Sequence, residues 1–125
     1  MVTEDYCSYE VAKLLKEKGF NTFKSYGWDE QLFDKEHPRN FSIGFDNKEH
    51  WISCPTQSMA MKWLREEHNI FIQISAVLQD QPFGLHYRPS IQDYHAYARH
   101  DNFSEYVTYE EAVEAACIYL LKNLI

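Results

Sequence analysis

Turn-forming and chain-breaking residues are scarce, with four glycines and four prolines in 125 residues. So few interruptions beside many aromatics exclude a disordered or low-complexity chain. Cysteine is scarcer still. Cys7, Cys54 and Cys117 are odd in number, far apart and in no CxxC or CxxH pairing, so metal-site spacing is absent and reduced packing residues are expected. Cys54, just ahead of a helix start, is the one thiol with an argument for a lowered pKa. Positive charge is also short. Twelve Lys and Arg stand against 19 Asp and Glu, a net charge of −7, which disfavours nonspecific attachment to nucleic acid or anionic membrane unless a local basic patch overrides it. No apolar run approaches the roughly 20 residues of a membrane helix, and Met1 to Asp5 do not read as a signal peptide. A cytoplasmic location with no membrane partner is expected.

What the chain does have is aromatic mass, nine Tyr, eight Phe and three Trp, and a length that suits a single domain burying roughly two thirds of its unfolded surface. Three amphipathic helices can be read. Ser8-Tyr9-Glu10-Val11-Ala12 opens the first, whose face is Val11, Ala12 and Leu15 widened by Leu14; Gly19 supplies a left-handed stop and Phe20 folds back on Leu15. The second begins at Thr56 after Pro55, carries Met59, Ala60, Trp63 and Leu64 inward and ends at Asn69. The third begins at Thr108, with Glu111 completing a capping box, and runs to the C-terminus on Tyr109, Ala112, Val113, Ala116, Leu120 and Leu124.

Between the second and third helices the period changes to two. Ile70, Ile72, Ile74, Ala76 and Leu78 share one strand face, opposite Gln73 and Ser75. After a turn at Gln79-Asp80-Gln81-Pro82, Phe83, Leu85, Tyr87 and Ile91 alternate with Gly84, His86, Arg88 and Ser90. Pro89 cannot donate a ladder hydrogen bond, so this strand is expected at an edge or ending early. A third strand is read from Tyr94 to Arg99. Residues 21–55, with Phe23, Tyr26, Trp28, Phe41, Ile43, Phe45, Trp51 and Ile52, form an aromatic-rich insert, either hairpin strands or an irregular loop over the core, with Asp34 to His37 exposed. The expectation is an α+β domain spanning 1–125: three helices on one face of a small antiparallel sheet, with an α-β-β-β-α core at 56–125.

Strand alternation turns the scarce cations outward. His86, Arg88, His95 and Arg99 converge with Tyr97, Gln73 and Ser75, a set whose guanidinium groups suit carboxylates or phosphates; an ordinary solvated sheet face accounts for the same residues. The six histidines show neither HExxH nor His-x-His, and although His86 and His95 are close enough in the hairpin to meet, no metal site and no cofactor are expected. Glu110, Glu111 and Glu114 belong to a helix start and its outer face, where capping explains them better than catalysis. Walker, dinucleotide and nucleophile-elbow motifs are absent. No catalytic residues are assigned, and an enzyme is the less favoured class.

The string Pro55-Thr56-Gln57-Ser58-Met59-Ala60-Met61-Lys62-Trp63-Leu64-Arg65-Glu66-Glu67-His68-Asn69-Ile70, with Thr108 to Ala116 and Tyr9 to Phe20, resembles a family of small uncharacterised proteins of gut bacteria and their phages and mobile elements. That resemblance implies a context but no activity, substrate or site residue. The helix, three strands, helix order is also similar to a double-stranded-RNA-binding domain in topology alone; Glu110 and Glu111 stand where that fold carries basic residues. The residues therefore point to a noncatalytic protein-interaction module, accessory or host-modulating, that contacts a protein partner through the outer sheet face or through Trp28 and Trp51. The alternatives are a nucleic-acid binder using His86, Arg88, Tyr97 and Arg99, and third a small hydrolase or metal enzyme. Ile118 and Tyr119 beside the main stripe of the last helix leave a homodimer open.

Overall fold

A computed structural model of the chain describes residues 5–22, 26–30, 36–40, 50–79 and 84–125. Phe23, Phe41, Ile43, Phe45, Phe83, Asp34, Lys35 and the turn at 80–82 lie outside the described residues, as do Met1 to Glu4. The fold is α+β, with three helices and two three-stranded antiparallel sheets. The chain forms two compact units, Met1–Ala60 and Met61–Ile125.

In the first unit, α1 (Tyr9–Glu17) starts where the Ser8 hydroxyl accepts the Val11 N–H at 3.3 Å, satisfying one of the amides that a helix start leaves unpaired. It stops at Gly19, whose φ of +103° lets the Phe20 N–H return to the Leu15 carbonyl at 2.9 Å. The insert is a sheet. β1 (Tyr26–Asp29) is central, flanked by β2 (Arg39–Asn40) and β3 (Trp51–Ser53). Gly27 faces Ser53 in this ladder, and a Cβ there would collide with the Ile52 carbonyl oxygen. Absence of a side chain is what lets the two backbones approach. α1 lies against β3, and Ala12, Trp28, Ile52 and Cys54 form the core between them, with Tyr9 and Tyr26 at its margin. Hydrogen bonds from the Cys7 amide to Pro55 and from the Gln57 amide to Asp5, both at 2.8–2.9 Å, hold the start of the described chain beside residues 55–57.

α2 (Gln57–His68) begins at Thr56, whose hydroxyl accepts from the Met59 N–H at 3.2 Å. It ends at Asn69 in the left-handed region, φ +54°, and the chain passes directly into β4 (Ile70–Gln79), paired residue for residue with β5 (Gly84–Asp93). The register places Ile70, Ile72, Ile74, Ala76 and Leu78 on the same face as Asp93, Ile91, Pro89, Tyr87 and Leu85, as the alternation required. β6 (Ala98–His100) pairs with the end of β5, giving the order β4-β5-β6.

β5 is therefore the central strand, despite Pro89. Tyr94 donates its amide to the Asn69 carbonyl, so hydrogen-bonded pairs fall at odd-numbered β4 positions and Ile74–Pro89 is a pair that needs no N–H from proline. On its other side β5 pairs at Ile91 with His100 and at Tyr87 with Tyr106, through two 2.7 Å bonds. The proline nitrogen faces the gap between them, so no ladder bond is lost.

α3 (Tyr109–Asn123) opens with the Thr108 hydroxyl accepting from the Glu111 N–H at 3.1 Å. It covers the apolar face of β4 and β5 with Ala112, Val113, Ala116, Cys117, Leu120 and Leu121. Tyr87 and His100, both on that face, meet α3 edge-on at Tyr109 and obliquely at Tyr119 respectively. The helix starts level with Tyr87, so the hairpin runs past it: Leu78 is 75% and Leu85 52% exposed, although both lie on the apolar face.

Candidate functional site

The alternation that buries Ile91 and Ile70 beneath α3 brings His86, Arg88, Ser90 and Gln92 of β5 to the opposite face, beside Phe71, Gln73, Ser75 and Val77 of β4 and Arg99 of β6. This outer face has its own side-chain order. Gln92 donates through Nε2 to Gln73 Oε1 at 3.2 Å and accepts through Oε1 from the Tyr94 hydroxyl at 2.6 Å. The Tyr94 ring meets Phe71 edge to face, centroids 5.2 Å apart, a preferred geometry for aromatic pairs. Phe71 and Tyr94 were missed as site residues in the sequence. The available signal was a phenylalanine at an outward position of β4.

Of the residues expected here, His86, Arg88 and Arg99 lie on this face; His95 and Tyr97 do not belong to a strand. The region read as a third strand from Tyr94 begins instead with a four-residue turn at 94–97. Asp93, buried on the helix-facing side, accepts the His95 and Ala96 amides on Oδ1 at 3.1 Å, a side-chain-closed turn that breaks the alternation. Tyr97 takes φ +54° and is 94% exposed. His86 and His95 stand at opposite ends of β5, and among the described residues no group of three or more His, Cys, Asp and Glu side chains could hold a metal ion.

Both arginines have acidic neighbours. Arg88 Nη2 lies 2.6 Å from Glu105 Oε1, and Arg99 Nε 3.4 Å from Asp101 Oδ2. The face is thus less cationic than a list of its residues implies. Two of its polar atoms, His86 Nδ1 and Ser90 Oγ, are buried with no hydrogen-bond partner among the described residues.

Trp28 and Trp51 require a correction. They were expected as exposed anchors of the aromatic insert, but they are 3% and 5% exposed; Trp28 pairs with Ile52 and joins the cluster with Ala12 and Cys54, while Trp51, paired with Asp29, leaves β3 on the other face. Trp28 packs edge-on against Tyr9 with centroids 5.5 Å apart. Trp51 forms one wall of a cleft of about 410 Å³, with Ala12, Lys16, Phe20 and Ser53, and its carbonyl accepts from Lys16 Nζ at 3.2 Å. A smaller cleft of about 180 Å³ is lined by His68, Asp93, His95 and Leu124.

The thiols are inward. Cys54 Sγ donates to the Cys7 carbonyl at 3.5 Å, and burial, with a lesser contribution from Glu114, pushes the Cys117 thiol from an ordinary 9.0 up to about 12. No protein-family model matches the chain, and neither does any curated protein or solved structure.

Proposed function

We propose that the chain is a noncatalytic protein-interaction module, accessory or host-modulating and of phage or mobile-element origin, that works in the cytoplasm and engages a protein partner through the outer face of the β4–β6 sheet. The observation that carries this reading is the composite of Phe71 and Tyr94, the Gln73–Gln92 amide pair, and the flanking Arg88 and Arg99. Exposed aromatics supply contact area at low entropic cost, and arginines whose charge is already half answered suit a mixed protein surface better than a polyanion. That same neutralisation weakens the nucleic-acid reading, which needs free cations on phosphate. A Cys54 nucleophile finds no support, since its thiol is buried and bonded to the Cys7 carbonyl.

The test is affinity capture with the intact chain and with Arg88→Glu and Tyr94→Ala variants of matched circular dichroism. A partner held by the intact chain and released by both variants supports the outer face. Undiminished capture by both removes it. A gel shift that weakens steeply with salt would restore the nucleic-acid reading instead.

A further inference from the structure

β4 forms one edge of its sheet. Since Phe71, Gln73, Ser75 and Val77 exchange hydrogen bonds with β5, the N–H and C=O groups of Ile70, Ile72, Ile74, Ala76 and Leu78 point the other way. No described residue pairs with that side. The strand has ten residues, Ile-Phe-Ile-Gln-Ile-Ser-Ala-Val-Leu-Gln, with no charge and no proline, so it lacks the devices by which edge strands ordinarily resist pairing. Phe71, Gln73, Ser75, Ala76 and Leu78 are all exposed.

We propose that β4 pairs antiparallel with β4 of a second copy of this chain, about a two-fold axis through Ile74, joining the two β4–β6 sheets into one. A second copy is the occupant because the strand is chemically palindromic about Ile74. On the helix-facing side Ile74 meets its own copy, Ile72 meets Ala76, and Ile70 meets the 75% exposed Leu78. On the outer side Gln73 meets Ser75 and Phe71 meets Val77. Apolar groups face apolar groups and polar face polar, with no like charges opposed. Only this centring gives every outward N–H and C=O of Ile70 to Leu78 a partner at once; a shift either way strands residues at one end. An axis perpendicular to the sheet keeps both helix-facing sides together, as a closed two-fold interface requires.

The pairing is modest in strength. A strand of this length spans about 33 Å, and a strip about 10 Å deep covers about 300 Å² per copy, against about 800 Å² per partner in a standard stable interface. The net charge of −7 on each copy opposes association, so added salt strengthens the dimer, the reverse of nucleic-acid binding.

Sedimentation of the full chain from low to high micromolar concentration is expected to show a monomer–dimer equilibrium that shifts toward dimer with salt. Ala76→Glu combined with Leu78→Glu, both exposed and neither on the outer face, is expected to abolish the dimer. Under mild oxidation, a mixture of Gln73→Cys and Ser75→Cys proteins is expected to cross-link, while each alone does not; this readout holds even if the double glutamate variant misfolds. A monomer at every concentration, a dimer indifferent to the paired glutamates in a folded variant, or cross-linking of either cysteine variant with itself would overturn the proposal. So would open-ended assembly beyond the dimer.

Discussion

Arg88 and Glu105 meet through a single 2.6 Å contact between Nη2 and Oε1, the guanidinium side chain 50% and the carboxylate side chain 19% exposed. The loop between β6 and α3 returns to β5 at Tyr106, and that return delivers the carboxylate to the arginine. Glu105→Gln should therefore leave stability within about 1 kcal/mol of the parent, since half-exposed pairs contribute little. It should at the same time raise the salt needed to elute the protein from a polyanionic resin. An unchanged elution position would show that Arg88 is not the cation held in check.

Trp28 is a core residue, and Trp28→Ala should cost about 3–5 kcal/mol in denaturant unfolding. Its indole N–H is buried with no partner among the described residues. Trp28→Phe should accordingly cost much less than the alanine change, because it removes an unsatisfied donor along with some volume. Equal losses for the two variants would mean that the indole nitrogen is satisfied in solution.

Gly27→Ala should destabilise the first unit more than the about 1–3 kcal/mol usual for overpacking a core. The added methyl meets the Ile52 carbonyl oxygen, which is backbone within the β1–β3 ladder and has no rotamer to swing aside. Thermal melts of the variant, followed by near-ultraviolet signal from the tryptophans, would report it. A melt matching the parent would place β1 and β3 farther apart than described.

Cys117 makes a prediction about alkaline stability. Its folded pKa is raised to about 12 from 9.0, so between those values the unfolded chain gives up a proton that the folded chain keeps. Stability is fully present below pH 9 and falls as pH rises through the window, at up to about 1.4 kcal/mol per pH unit. Cys117→Ala should flatten this part of the profile. Native protein at pH 8 should also leave this thiol unlabelled by a disulfide reagent until denaturant is added.

Much of the fold was legible because it rests on local rules. Ser8, Thr56 and Thr108 announce helix starts by the chemistry of a single side chain, Gly19 and Asn69 announce stops, and the alternation from Ile70 to Ile91 fixes which side of each strand faces α3. What alternation cannot convey is where it ceases. Asp93 closes a turn with its own carboxylate, and that contact moved His95 and Tyr97 off the expected strand. Burial of Trp28 and Trp51 was equally hidden, since it follows from short strands whose pairing depends on Gly27 lying beside Ile52 and Ser53. The candidate face was legible in its arginines and in His86. The carboxylates that answer those arginines come from a loop with no periodicity to read.

Pro89 has an effect on alignment that is separate from its packing. If β5 slid by one residue against β4, the ring nitrogen would come opposite Gln73 or Ser75, whose carbonyls look toward β5 for a donor. The misaligned hairpin would lose that bond and turn Ile91 toward solvent in the same step. A residue that usually marks the margin of a sheet thus acts in its middle as a key that fits one threading of the hairpin and refuses its nearest neighbours.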